Sequence, residues 1–105
     1  MKYMVDIDGT ICNNTYGDYH SAVPFVDRIE HFNKLFDAGH EVHYWTARGG
    51  NTGIDWTALT AQQFANWQVK YTSLRMHKPT YDIWIDDKAI NVENYFVENA
   101  DKNDA

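Results

Sequence analysis

The chain reads as an α/β fold of three layers, with helices on both faces of a mostly parallel sheet, and three features of the sequence predict it. Short apolar runs rich in β-formers alternate with longer segments whose apolar residues recur at helical spacing. Each run ends in a turn signal, and the intervening lengths suit right-handed crossovers between parallel strands. The residues able to do chemistry gather where the runs end, the edge at which parallel sheets receive ligands.

The first run, KYMVDI, is bounded by the turn signal Asp8-Gly9-Thr10, so a strand is expected to end near Asp6. After the polar stretch NNTYGDYHSA, Pro24 suits a first helical turn. Phe25, Val26, Ile29, Phe32, Leu35 and Phe36 then recur at helical spacing as far as Gly39, a natural stop. EVHYWT, residues 41–46, alternates as a second strand. Asp55 is placed to cap a second helix, with Trp56, Leu59, Phe64, Trp67 and Tyr71 on one face and an end near Lys70 to Thr72. SLRM supplies a short third strand, and YDIWID, residues 81–86, a fourth between Lys78-Pro79 and Asp87-Lys88. The polar tail 98–105 is expected to fray.

Composition bounds what such a fold does. At 105 residues, 44% of them hydrophobic, the chain fits a single domain over 1–105 with one core. A net charge of -6 argues against a broad polyphosphate-binding surface and makes nucleic acid a disfavoured partner. Cys12 is the single cysteine, which excludes an internal disulfide. No apolar run has the length of a membrane span or a signal-peptide core, so the expected setting is the cytoplasm. The histidines at 20, 31, 40, 43 and 77 show no zinc-ligand spacing.

The strand ends carry Asp6 and Asp8, then Thr46 and Arg48, then Lys78, then Asp86 and Asp87. Singly, each has a plain role. Asp-Gly-Thr is a common turn, Asp86-Asp87 a helix cap with a surface charge, Lys78 a solvated lysine, and Arg48 a partner for a surface carboxylate. Together they place four carboxylates, a hydroxyl and an amine along one sheet edge. Carboxylates converging without compensation repel, and a divalent cation relieves that. Oxygen-only ligands favour magnesium. A hard cation, a lysine and a hydroxyl around a carboxylate describe a phosphoryl-transfer site.

The ordered set resembles the haloacid dehalogenase superfamily of phosphotransferases. Asp6-Ile7-Asp8-Gly9-Thr10 corresponds to its first motif, Thr46 to its second, Lys78 to its third and Asp86-Asp87 to its acidic fourth. HKPTYDIWIDDKAIN is also similar to a segment of small phosphatases linked to capsule and surface-polysaccharide synthesis. The resemblance implies a Rossmann-like three-layer fold and a magnesium-dependent phosphomonoesterase working through an aspartyl-phosphate. It makes Asp6 the nucleophile, and Asp8 the acid for the leaving oxygen and then the base for water. Asp6, the Asp8 carbonyl and Asp86 would hold the ion, with Asp87 acting directly or through water. Thr46 and Lys78 would bind the phosphoryl group, with Gly9, Thr10, Ala47 and Arg48 beside it.

Family members often carry a cap domain over the site, and here neither insertion point has room for one. Eleven residues separate Cys12 from Pro24, and a loop with one helix uses up 49–73. The site is therefore expected to be open, or closed by a neighbouring subunit acting as a lid. Tyr16, Tyr19 and His20 either face the substrate or pack the loop. The favoured substrate is a small phosphorylated metabolite such as a sugar phosphate or nucleotide. The alternatives are a nucleic-acid end phosphatase and a catalytically silent domain of the same fold. A two-component receiver domain is disfavoured by motif order, since its paired acids come first and its phosphorylated aspartate later.

Overall fold

The first strand and the turn that closes it set the frame. In a computed structural model, which describes residues 1–103 with side chains through 97, β1 spans Lys2–Val5 and the chain turns sharply after Asp6. Gly9 makes that turn possible: its φ is +83°, and a Cβ there would press on the Asn14 side chain. Ile7, Ile11 and Cys12, packed around the turn, have no exposed surface.

The segment from 13 to 23 leaves the body and returns, pinned at its neck. Asn13 and Val23 exchange hydrogen bonds, the Phe25 N–H donates to the Ile11 carbonyl at 2.8 Å, and Cys12 bridges Pro24. That pairing holds 23–25 extended, so the first helix, α1, begins at Val26 rather than at Pro24 and runs to Asp37. Gly39, at φ +97°, ends it as expected. Within the excursion, Tyr19–Ser21 form a 3-10 turn that the sequence did not announce.

β2 (Glu41–Trp45) pairs parallel with β1 from Lys2 opposite Glu41 to Val5 opposite Tyr44. β3 (Ser73–Arg75) pairs parallel on its other side, giving the order β1-β2-β3. Between them lies α2 (Thr57–Asn66). The Asp55 carboxylate does meet its start, accepting the Thr57 N–H at 2.9 Å. The end comes earlier than expected because Gln68 turns left-handed at φ +58°. The Asn33 carboxamide then takes the chain from both sides, donating to the Gln68 carbonyl and accepting from the Lys70 N–H.

Tyr44 packs edge-on to Phe32 of α1 and to Phe64 of α2, which places both helices on one face of the sheet. α3 (Val92–Asn103) joins the same side, its Tyr95 and Phe96 against Phe32 and His31. The molecule is thus a small α/β fold with a three-stranded parallel sheet, and its helices gather on one side of a core centred on Ile29, Phe32, Val42, Tyr44 and Phe64. No helix among the described residues is long and apolar enough to cross a membrane.

One expectation for the C-terminal third is corrected. Of the tail expected to fray, residues 98–103 fall within α3 and 104 and 105 lie outside the described residues. YDIWID forms no strand: residues 81–86 are exposed throughout, with Ile83 at 78% and Ile85 at 92%. Trp84 lies instead against Trp45 and Tyr81, which holds the segment off the sheet. Strand propensity without a paired neighbour does not make a strand.

Candidate active site

The carboxyl ends of the strands open onto a cavity of about 310 Å³. Asp6, Asp8, Thr46, Ala47, Arg48 and Lys78, all candidates from the sequence, line it. Lys78 comes from beyond β3, and its N–H donates to the Thr46 carbonyl at 3.0 Å, which ties the third strand end to the second. Gly49, at φ +82°, lets the loop after Arg48 fold back; any Cβ there would collide with the Ile54 carbonyl.

Asp6 faces the cavity with 38% of its side chain exposed, and the Lys78 ammonium stands 3.5 Å from its Oδ1. Its pKa lies above the usual carboxylate value, chiefly because burial disfavours the charge. Lys78 and the Ile7 N–H pull the other way. The Lys78 ammonium is itself bounded by the rings of Tyr81 and Trp84, 5.3 and 5.6 Å from their centroids.

Asp8 sits in a different environment. Arg48 grips it through two hydrogen bonds, Nε to Oδ2 and Nη2 to Oδ1, each 2.9 Å, and the arginine side chain has no exposed surface. The rest of the guanidinium is occupied as well. Nη1 donates to Thr60 Oγ1 at 3.1 Å and to Gln63 Oε1 at 2.6 Å, and the Tyr19 ring lies 4.7 Å from the guanidinium carbon. Gln63 in turn donates to the Tyr19 carbonyl at 2.6 Å, so the excursion 13–23 is locked to α2 through this cluster. Cys12 lies beneath, its Sγ 3.5 Å from Asp8 Oδ1, and burial followed by the Asp8 charge pushes its thiol up to about 12.

Several expected roles change with this geometry. Arg48 was a candidate for the phosphate, and its donors are spent on Asp8, Thr60 and Gln63. Gly9 and Thr10 were expected beside the phosphate as well. Their N–H groups close the turn instead, onto the Cys12 and Ile7 carbonyls, and Thr10 Oγ1 reaches Asp6 Oδ2 at 3.5 Å. Thr46 is buried, its Oγ1 accepting from the Arg48 N–H at 3.1 Å. Tyr16 and Tyr19 line the cavity, whereas His20 packs edge-on to Trp56.

Asp86 and Asp87 do not join the site. Neither lines the cavity, and Asp86 is engaged locally by the Lys88 N–H at 2.8 Å, which lowers its pKa. Among the described residues no group of three His, Cys, Asp or Glu side chains stands close enough to hold a metal ion. In this arrangement the site offers a cation Asp6 and the Asp8 main chain, and the residues as placed do not form the acidic ligand set that the resemblance implies.

Sequence reasoning missed Asn14, Thr15, Asn51 and Thr80, which also line the cavity. They are polar loop residues without periodicity, and nothing short of the folded loops marks them. Thr15 Oγ1 is buried without a hydrogen-bond partner among the described residues.

No protein-family model and no curated protein matches the chain. Among solved structures it is similar to a target protein from Vibrio cholerae known from its crystal structure. The two share 26% identity at a TM-score of 0.80, over 96% of this chain and 91% of that one. The likeness therefore runs through the whole described fold.

Proposed function

We propose that the chain is a phosphomonoesterase of the haloacid dehalogenase type, acting through an aspartyl-phosphate on Asp6. The observation that carries the reading is the pair of unlike carboxylates at one strand end. Asp6 is half-exposed to the cavity beside a single ammonium, while Asp8 is fixed by a buried guanidinium. In the first displacement an Asp6 oxygen bonds to phosphorus as the ester oxygen leaves and takes a proton from Asp8. In the second, water attacks the acyl phosphate, gives its proton to Asp8 and frees the Asp6 carboxylate with inorganic phosphate. Lys78 neutralises the phosphoryl oxygens throughout.

Charge at the cavity supports a small substrate. Of the two cations lining it, Arg48 is spent on Asp8, which leaves Lys78 for one phosphate. A monoester with an uncharged remainder, such as a sugar phosphate, fits that balance better than a nucleic-acid end, whose further phosphates find no partner here. The tyrosines and amides around the rim are suited to stacking on and hydrogen bonding to such a remainder. The family's capless fold and its magnesium requirement belong to the same proposal, and no step above is routed through the ion.

The test is hydrolysis of p-nitrophenyl phosphate and a panel of phosphorylated metabolites and oligonucleotide ends, with magnesium and with excess chelator. Turnover that chelator abolishes is the expected result. Equal rates in both would remove magnesium from the proposal, and no turnover of any ester would remove the phosphatase itself.

A further inference from the structure

The buried arginine behind Asp8 has more partners than an ion pair needs. Its guanidinium carries its N–H donors in one rigid plane, and all three nitrogens are engaged. Nε and Nη2 hold Asp8 at 2.9 Å, while Nη1 divides between Thr60 Oγ1 at 3.1 Å and Gln63 Oε1 at 2.6 Å. Nη2 also meets Cys12 Sγ at 3.9 Å. Because the plane is rigid, whatever fixes Nη1 fixes the direction in which the other edge grips the carboxylate. Asp8 is therefore aimed from α2, where Thr60 and Gln63 stand three residues apart on one face.

Gln63 does more than accept. It is buried, and its Nε2 donates to the Tyr19 carbonyl at 2.6 Å, so both ends of its amide are used. Tyr19 lines the cavity within the excursion 13–23, its ring 4.7 Å from the guanidinium carbon and edge-on to Trp56. A continuous path thus runs from the cavity wall at Tyr19 through Gln63 and Arg48 to Asp8. Thr60 belongs to the arginine end, since its hydroxyl donates to the Trp56 carbonyl at 2.8 Å rather than to the excursion.

We propose that Gln63 is a positioning residue of this site: it aims the Arg48 fork at Asp8 with one end of its amide and holds the excursion at Tyr19 with the other. The relay stands on the hydrogen bonds; its effect on turnover rests on the phosphoryl-transfer reading above. Within that reading, the direction of Asp8 matters according to the leaving group. An alkyl ester oxygen leaves as it takes the Asp8 proton, so the carboxyl must face it. A nitrophenolate leaves without a proton. Loosening the fork therefore penalises alkyl phosphates more than aryl phosphates in the first displacement, in which the bond from Asp6 to phosphorus forms and the ester P–O bond breaks.

The kinetic test is the ratio of kcat/KM for p-nitrophenyl phosphate to that for glycerol 1-phosphate, since kcat/KM reports the steps through phosphorylation. Gln63→Leu, similar in volume but without either hydrogen bond, should raise the ratio about tenfold, a part of the hundredfold or more that a positioned acid contributes. Thr60→Val keeps the shape, removes one acceptor from Nη1 and should raise the ratio by a smaller factor. Should Gln63→Leu lose its fold by circular dichroism, Thr60→Val decides. An unchanged ratio, with both substrates slowed alike, overturns the positioning role. Chymotrypsin separates the two ends of the amide. Cutting after Tyr16 or Tyr19 should quicken in Gln63→Leu and stay at the parental rate in Thr60→Val. Equal rates in the two variants overturn the hold on the excursion.

Urea denaturation needs no turnover. Asp8→Asn and Gln63→Leu both act on Arg48, so the double variant should lose less stability than the sum of the single losses. Additive losses overturn the relay. A parent inactive on every ester, whose variants show the smaller joint loss and the quickened cutting, removes the phosphatase reading and leaves the relay in place.

Discussion

Asp6 and Asp8 leave one strand end two residues apart, and their surroundings share little. Asp8 is 19% exposed and held at both oxygens by a guanidinium with no exposed surface. Asp6 is twice as open, has one ammonium 3.5 Å away, and carries a pKa raised by burial. A carboxylate gripped at both oxygens is fixed in direction. A carboxylate beside one ammonium keeps an oxygen free to attack. The contrast divides the proposed labour between them: Asp6 forms the bond and Asp8 stands ready for a proton.

The comparison breaks most visibly at Arg48. Arg48→Ala leaves Asp8, Thr60 Oγ1 and Gln63 Oε1 without their donor, and losing one side of a buried ion pair costs about 3 kcal/mol or more. Urea denaturation should show that loss. Arg48→Lys should recover little of it, because an ammonium does not make the two parallel bonds. An Arg48→Ala protein as stable as its parent would mean that Asp8 is not held as described.

Lys78 is the corresponding probe on the Asp6 side. Lys78→Ala should lower kcat/KM by about a hundredfold, the scale for losing one preorganised charge stabiliser, with the fold intact. Its pH profile carries a second sign. Lys78 is the largest influence pulling the Asp6 pKa down, so without it the pKa rises and the acid limb of the rate profile moves to higher pH. A limb that stayed in place would separate Lys78 from Asp6.

A smaller effect concerns stability. Since the folded pKa of Asp6 is raised, the cost of burying its charge is present at neutral pH and is relieved as pH falls through that pKa. Asp6→Asn should therefore melt above the parent at pH 7, with the gap closing as pH falls into the carboxylate range. A parent more stable than Asp6→Asn at every pH would contradict the assignment. Cys12 gives the finest probe. Its thiol, pushed up to about 12 by burial and then by Asp8, should resist iodoacetamide at pH 8. In Asp8→Asn, labelling should begin at a lower pH than in the parent.

How much of this was legible in the sequence depends on what each residue needed. The strands at Lys2–Val5 and Glu41–Trp45 and the helix over Val26–Asp37 followed from period alone, because each buries its apolar face against the same core. Asp6, Asp8, Thr46 and Lys78 were found from their positions at strand ends, and the cavity gathers all of them. Arg48 lines the cavity as well, with its donors on Asp8, Thr60 and Gln63. Period and spacing put a residue at an edge, and they do not say that Thr60 and Gln63 one helix away will take its donors. Residues 81–86 failed for a related reason. Their alternation is that of a strand, and a strand forms only where an edge is within reach. Pro24 and Gln68 moved helix boundaries through contacts with Cys12 and Asn33, distant in sequence.

The central claim is that Asp6 takes the phosphoryl group, and intact-protein mass spectrometry tests it most directly. Parent, Asp6→Asn and Asp8→Asn proteins are mixed with magnesium and p-nitrophenyl phosphate, quenched in acid and weighed, with hydroxylamine treatment to reveal an acyl phosphate. A nitrophenolate leaves without a proton, so Asp8→Asn should be phosphorylated and then stall, because its water has no base. The account predicts one hydroxylamine-labile phosphate accumulating on Asp8→Asn, a trace on the parent and none on Asp6→Asn. Phosphate on Asp6→Asn, or parental turnover by Asp8→Asn without accumulation, would contradict it.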